Sequence, residues 1–247
     1  MRAYAITDIG RKRTLNQDYA YMSLEPVGKL PNLFVVADGM GGHNGGGYAS
    51  RMAVETILSE LAITKEEEAA EMLIQAIRSA NDNIKKAAAA DVRLSGMGTT
   101  VVSAVCAGRT LVVANVGDSR LYTVNNTEIR QITQDHSLVE EMVRFGGISK
   151  EQARKHPDKN IITRAVGVED DLKVDCFVVP LEADDRVLLC SDGLTNMLED
   201  EEIRQKILSD GSVEQRVRAL VDAANENGGR DNIAVIIIEP FSDEVSR

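Results

Sequence analysis

The stretch Leu33 to Gly47, LFVVADGMGGHNGGG, constrains this chain more than any other. Five apolar residues, Leu33 to Ala37, read as a buried strand that stops at Asp38-Gly39. Glycine then fills six of the nine positions from 39 to 47, before a helical pattern starts near Ala49. A strand ending in an acid, followed by backbone without Cβ atoms, brings a carboxylate and bare peptide groups close to a ligand. Two phosphate-loop readings fail. No Lys-Ser/Thr pair follows the glycines, and Asn44 stands where a dinucleotide fingerprint needs its third glycine. A carboxylate there would repel a pyrophosphate unless a divalent cation lay between them.

More acids occupy similar settings. VLLCSDG delivers Asp192 after an apolar run, LVVANVGDSR delivers Asp118, and GGRDNIAVIIIE places Asp231 just ahead of Ile233 to Ile238. RKRTLNQD sets Asp18 beside Asn16 and Gln17. Five aspartates at strand boundaries are expected to converge on one sheet edge. Two such charges 4 Å apart would repel by about 4 kcal/mol at an effective dielectric near 20. Oxygen-only ligands favour Mg²⁺ or Mn²⁺ over zinc.

The segments Arg13-x-x-Asn16-Gln17-Asp18, Asp38-Gly39-Met40-Gly41-Gly42-His43, Gly96-Met97-Gly98-Thr99-Thr100, Gly117-Asp118-Ser119-Arg120, Ser191-Asp192-Gly193-Leu194 and Gly229-x-Asp231-Asn232 follow in that order. Together they resemble the metal-dependent protein phosphatases of type 2C in their bacterial single-domain form, over roughly Thr7 to Glu239. The resemblance implies an α+β fold, a four-layer α-β-β-α sandwich of two mainly antiparallel sheets, with residues 1–247 as one catalytic domain. It implies hydrolysis of phosphoserine and phosphothreonine on proteins, opposed to a Ser/Thr protein kinase. Asp38 would bridge two core cations, Mn²⁺ or Mg²⁺, with the Gly39 carbonyl on one of them. Asp192 and Asp231 would ligate the other, and Asp18 would hold a metal-bound water. Asp118, with Asp192, would take a weaker third ion. Arg13 would bind the substrate phosphate, which a planar guanidinium holds bidentately. Asn232 would orient its neighbours.

Two positions depart from that pattern. Gln17 stands where many relatives carry Glu, and Met40 stands where eukaryotic members carry a proton-donating His. His43, three residues on, is a candidate proton donor; its ring would equally serve to cap the following helix, and metal-bound water is the rival donor. An inactive binding module would be expected to lose metal acids, yet all five are present. A small phosphate ester as substrate stays open.

The rest of the chain reads as scaffold. Ala3 to Ile9 and Asp18 to Ser23 are expected to form a hairpin. Ala49, Ala53, Ile57 and Leu61 make a helical stripe; Thr64-x-x-Glu67 reads as a capping box before a second long helix. Gln134 to Gly167 carries two short helices, opened by Ser137 and Ser149, and matches the variable flap over the active site of the family. His136 and His156 within it are expected at the surface or as caps. Thr99 and Thr100 are expected to be strand residues without chemistry. Three cysteines, Cys106, Cys176 and Cys190, form no CxxC and read as reduced thiols of a cytoplasmic protein. No long apolar span suggests a membrane segment, and a monomer is expected. A net charge of −11 argues against a nucleic-acid partner.

Overall fold

The computed structural model describes residues 1–42 and 45–242. Its strands are β1 (Arg2–Asp8), β2 (Asp18–Ser23), β3 (Leu33–Met40), β4 (Gly98–Thr99), β5 (Val101–Ala107), β6 (Thr110–Val116), β7 (Arg120–Val124), β8 (Ile129–Gln131), β9 (Asp175–Pro180), β10 (Arg186–Cys190) and β11 (Ile233–Glu239). The α-helices are α1 (Gly45–Ile63), α2 (Ala69–Ala90), α3 (Leu138–Arg144), α4 (Lys150–Lys155), α5 (Asp192–Thr195), α6 (Asp200–Leu208) and α7 (Val213–Glu226). Among the described residues the strands pair into two antiparallel sheets. One runs β1-β11-β10-β7-β8; the other runs β2-β3-β5-β6-β9, with β4 paired to β3.

Period-two alternation builds three apolar layers from these sheets. Along β11, Ala234, Ile236 and Ile238 enter the layer between the sheets, while Ile233, Val235 and Ile237 pack under α5, α6 and α7. Along β3, Phe34 and Val36 face the other sheet, whereas Leu33, Val35 and Ala37 meet the stripes of α1 and α2. The continuous apolar runs therefore mark strands buried on both faces, and the α-β-β-α order follows.

Two local expectations fail. β1 and β2 form no hairpin: β1 pairs β11 and β2 pairs β3, so the residues between them cross from one sheet to the other. Proximity in sequence could not show that the charged loop bridges the layers. The Thr64 capping box is also absent. α2 starts at Ala69 behind Glu68, which makes no side-chain cap; Thr64 Oγ1 accepts instead from Glu66 N–H, and the Glu66 carboxylate accepts from Glu67 and Glu68 N–H. The boxes at Ser149/Gln152 and Ser212/Gln215 do form. The cysteines are free thiols.

Among the described residues, 134–167 hold α3 and α4 and no ladder; the isolated bridges there are Ser137↔Ile162 and Thr99↔Val166.

Candidate active site

Asp38 lies two residues before the end of β3, and in the β2–β3 register it lies directly opposite Asp18, the first residue of β2. The Asp38 backbone is clamped on both sides. Its N–H donates to Thr100 Oγ1 at 3.0 Å, and its carbonyl accepts from Thr99 Oγ1 at 2.9 Å and Thr100 N–H at 2.8 Å. Thr100 Oγ1 in turn shares a hydrogen bond with Ser119 Oγ at 2.7 Å. Thr99 and Thr100 thus fix the strand end that carries the acid, which the sequence did not reveal. Gly39 is required by close approach: a Cβ there would lie 2.0 Å from the Gly46 carbonyl oxygen. His43 lies outside the described residues.

The other sheet supplies Asp192 and Asp231. Asp192 opens α5, with Ser191 alone between it and β10, and Asp231 precedes β11. Their backbones pack so tightly that a Cβ on Gly193 would sit 1.9 Å from the Asn232 carbonyl oxygen. Ser191, unassigned from sequence, stitches the sheets together. Its hydroxyl donates to Asp18 Oδ2 at 2.6 Å and accepts from Ala234 N–H at 2.9 Å. The acids therefore gather between the ends of two stacked sheets, not on one sheet edge, because each sheet contributes its own strand termini. Asn232 holds the crossing loop: its amide donates to the carbonyls of Ile9 and Leu15, each at 2.9 Å, and its Oδ1 accepts from Gln17 N–H at 2.9 Å. That loop presents Arg13, half-exposed, whose guanidinium donates to Asp231 Oδ2 at 2.8 Å.

Burial and mutual repulsion set the electrostatics. Burial first, then Asp192 and Asp231, raise Asp18 to about 7, against the bond from Ser191. Burial first, then Asp231, raises Asp192 to about 6. Asp38 and Asp118 also rise well above the carboxylate range, by burial and then by neighbouring aspartates. Asp192 raises each of the other three, so all four stand within one field. Asp18 Oδ1, Asp118 Oδ1 and Asp192 Oδ1 are buried with no hydrogen-bond partner. Orphaned, mutually repelling carboxylate oxygens fit hard divalent cations. Among the described residues no group of three or more His, Cys, Asp or Glu side chains is placed to hold a metal ion by itself. For Mg²⁺-type ions one or two carboxylates suffice, with water and main-chain carbonyls completing the shell.

Asp118 lines a cavity of about 540 Å³ that residues of the 134–167 segment also line, with Asp192, Asn196 and Lys159 on its walls. Asn196 Nδ2 donates to Asp192 Oδ2 at 2.8 Å, and Lys159 Nζ donates to Asn196 Oδ1 at 2.8 Å. Arg154 from α4 caps the other end of α5, donating to the carbonyls of Thr195 at 3.2 Å and Leu198 at 3.1 Å. Sequence reasoning missed Asn196 and Lys159, although Asn196 lies only four residues past Asp192. His136 is buried, contrary to expectation. Its Nδ1 accepts from Gly117 N–H at 2.9 Å and its own N–H donates to the Gly117 carbonyl at 3.0 Å, fixing the turn before Asp118. His156 caps α4 as expected.

A two-sheet sandwich with a carboxylate cluster at its strand ends suits metal-dependent hydrolysis of a phosphate ester. Residues 9–236 match the family model for protein phosphatase 2C. The chain is 45% identical to a serine/threonine phosphatase, stp, of Listeria innocua, covering 97% of this chain and 96% of the relative. Stp1 of Staphylococcus aureus superposes with a TM-score of 0.89 at 35% identity, over 95% of this chain and 93% of that one. The catalytic domain of the phosphatase PstP, solved with 2 manganese ions, superposes with a TM-score of 0.84 at 31% identity, over 96% of both chains. This chain belongs to the protein phosphatase 2C family. It is a protein phosphatase, a hydrolase of a family that depends on metal ions.

Proposed function

We propose that this chain hydrolyses phosphoserine and phosphothreonine monoesters on proteins and so opposes a Ser/Thr protein kinase. The observation that carries it is the set of buried carboxylates with orphaned oxygens beside the half-exposed Arg13. Asp38 and the Gly39 carbonyl would hold the first core cation, Asp192 and Asp231 the second with Asp38 shared, and Asp18 a water on the first. Asp118 with Asp192 would hold a weaker third. Either Mn²⁺ or Mg²⁺ suits these oxygens. Divalent cations bound there supply charge neutralisation for the phosphoryl group and lower the pKa of the attacking water.

The protein's own share is positioning. Arg13, steadied at one edge by Asp231, has the rest of its fork available for phosphate oxygens. Ser191 and the Thr99–Thr100 pair keep Asp18 and Asp38 aimed into the gap. Met40, a half-buried thioether, cannot protonate the leaving oxygen, and His43 is the protein-borne candidate. The whole chain acts as one catalytic domain with 134–167 as a flap, working as a cytoplasmic monomer. Among the described residues no helix is long and apolar enough to cross a membrane.

The test compares kcat/KM for a phosphothreonine peptide with that for p-nitrophenyl phosphate. A peptide turned over at least about tenfold more efficiently supports the reading, since flanking contacts stabilise only a protein substrate. Equal values would favour a small-ester hydrolase.

A further inference from the structure

The groove next to the carboxylates has the opposite charge to the chain as a whole. It holds about 700 Å³ and runs between α4, the turn after it and the loop before β11. Four cationic side chains line it, Arg154, Lys155, Lys159 and Arg230, against the carboxylates of Glu151 and Glu199. Glu199 is taken up by Arg154 at 3.0 Å. Arg230 immediately precedes Asp231, and Asn196, on the groove wall, bonds Asp192 at 2.8 Å, so the groove opens at the rim of the cluster. Burial depresses the Lys159 ammonium; Asp192 opposes this, while Arg154, Arg230 and Arg120 add to it. In a chain of net charge −11, four cations against two carboxylates leave this rim with an excess of two positive charges beside an acidic site.

We propose that this groove binds a second anionic group of the substrate, a carboxylate or phosphate on the peptide flanking the phosphorylated residue. This rests on the protein-substrate reading above. The phosphorylated side chain lies over the carboxylates and Arg13, and the chain beside it runs along the flap, where Lys155 and Arg230, both exposed, meet its negative charges. A cationic groove focuses such a segment and rejects basic ones.

Three phosphothreonine peptides of equal length test it: neutral flanks, aspartate flanks, and a flank with a second phosphoresidue. With the metal-loaded enzyme, kcat/KM should exceed the neutral peptide's by about fivefold for at least one anionic peptide, as expected for two partly exposed ion pairs. The gap should shrink as salt shortens the Debye length. A gain with both anions assigns any flanking negative charge, and a gain with phosphate alone assigns phosphate. Lys155→Glu combined with Arg230→Glu should bring the anionic-to-neutral ratio to one or below. Because the ratio is read within each protein, a general loss of active enzyme cancels. A wild-type ratio of one, or an undiminished ratio in the double variant, overturns the proposal. Turnover of p-nitrophenyl phosphate with no peptide hydrolysed would overturn the protein-substrate reading itself, and this proposal with it.

Discussion

The two oxygens of Asp192 have different surroundings. Oδ2 accepts from Asn196, while Oδ1 is buried without a partner. A side-chain amide that occupies one oxygen turns the other toward the gap, which is how partners outside a metal's own ligands tune it. Asn196→Ala should therefore weaken Mn²⁺ binding by about tenfold, read by calorimetry on metal-stripped protein. An unchanged Kd would mean that Asp192 is aimed by its backbone alone. Arg13 is poised differently, paired with Asp231 yet half-exposed. Arg13→Ala should raise KM for a phosphate ester by about tenfold and lower kcat less, as loss of a charge-assisted bond in the ground state requires. A pure kcat loss would contradict ground-state phosphate binding. At this scale the acids were legible in the sequence, because an aspartate ending an apolar run stands out. Ser191, Thr99 and Asn196 were not, since hydroxyls and amides beside strands are common and their partners are remote in sequence.

Elements bring these residues together, and their pairing was only partly readable. The continuous apolar runs of β3, β10 and β11 marked strands buried on both faces, and a turn at Asn125-Asn126-Thr127 joins β7 to β8 in a hairpin. Nothing local showed that β1 and β2 belong to different sheets; that is decided by which long-range ladder each edge completes. The Thr64 motif failed because the Glu66 carboxylate captured the N–H groups that a cap would use. The two capped helices of 134–167 were readable, but not their tether. Arg154 binds the carbonyls of Thr195 and Leu198 and the carboxylate of Glu199, so one side chain joins α4 to the element that begins with Asp192. Arg154→Ala should speed proteolytic cutting within 134–167 while leaving Mn²⁺ binding in place. Unchanged cutting would show that the flap is held by other contacts.

For the molecule as a whole, the site is a liability without cations. Carboxylates titrate near 4 when unfolded, whereas the fold raises Asp18 to about 7 and Asp192 to about 6, and Asp38 and Asp118 as well. Between about pH 4 and 7 the native state then binds more protons than the unfolded state, so stability falls as pH rises. The Tm of metal-stripped protein should drop between pH 5 and pH 8, and Mn²⁺ should restore it most at pH 8. A stripped Tm that rises over that range would contradict a shared buried acid cluster. The same reasoning says that removing one acid relieves repulsion, so Asp38→Ala should fold at least as well as wild type without metal.

Calorimetric titration of Mn²⁺ into stripped wild type and stripped Asp38→Ala, at pH 7.5, goes straight to the shared carboxylate site. Wild type should take up two ions at the core, and the variant, still folded, should lose both together, since Asp38 faces each of the other acids. Wild type without measurable uptake, or a variant that binds as wild type does, would contradict the account.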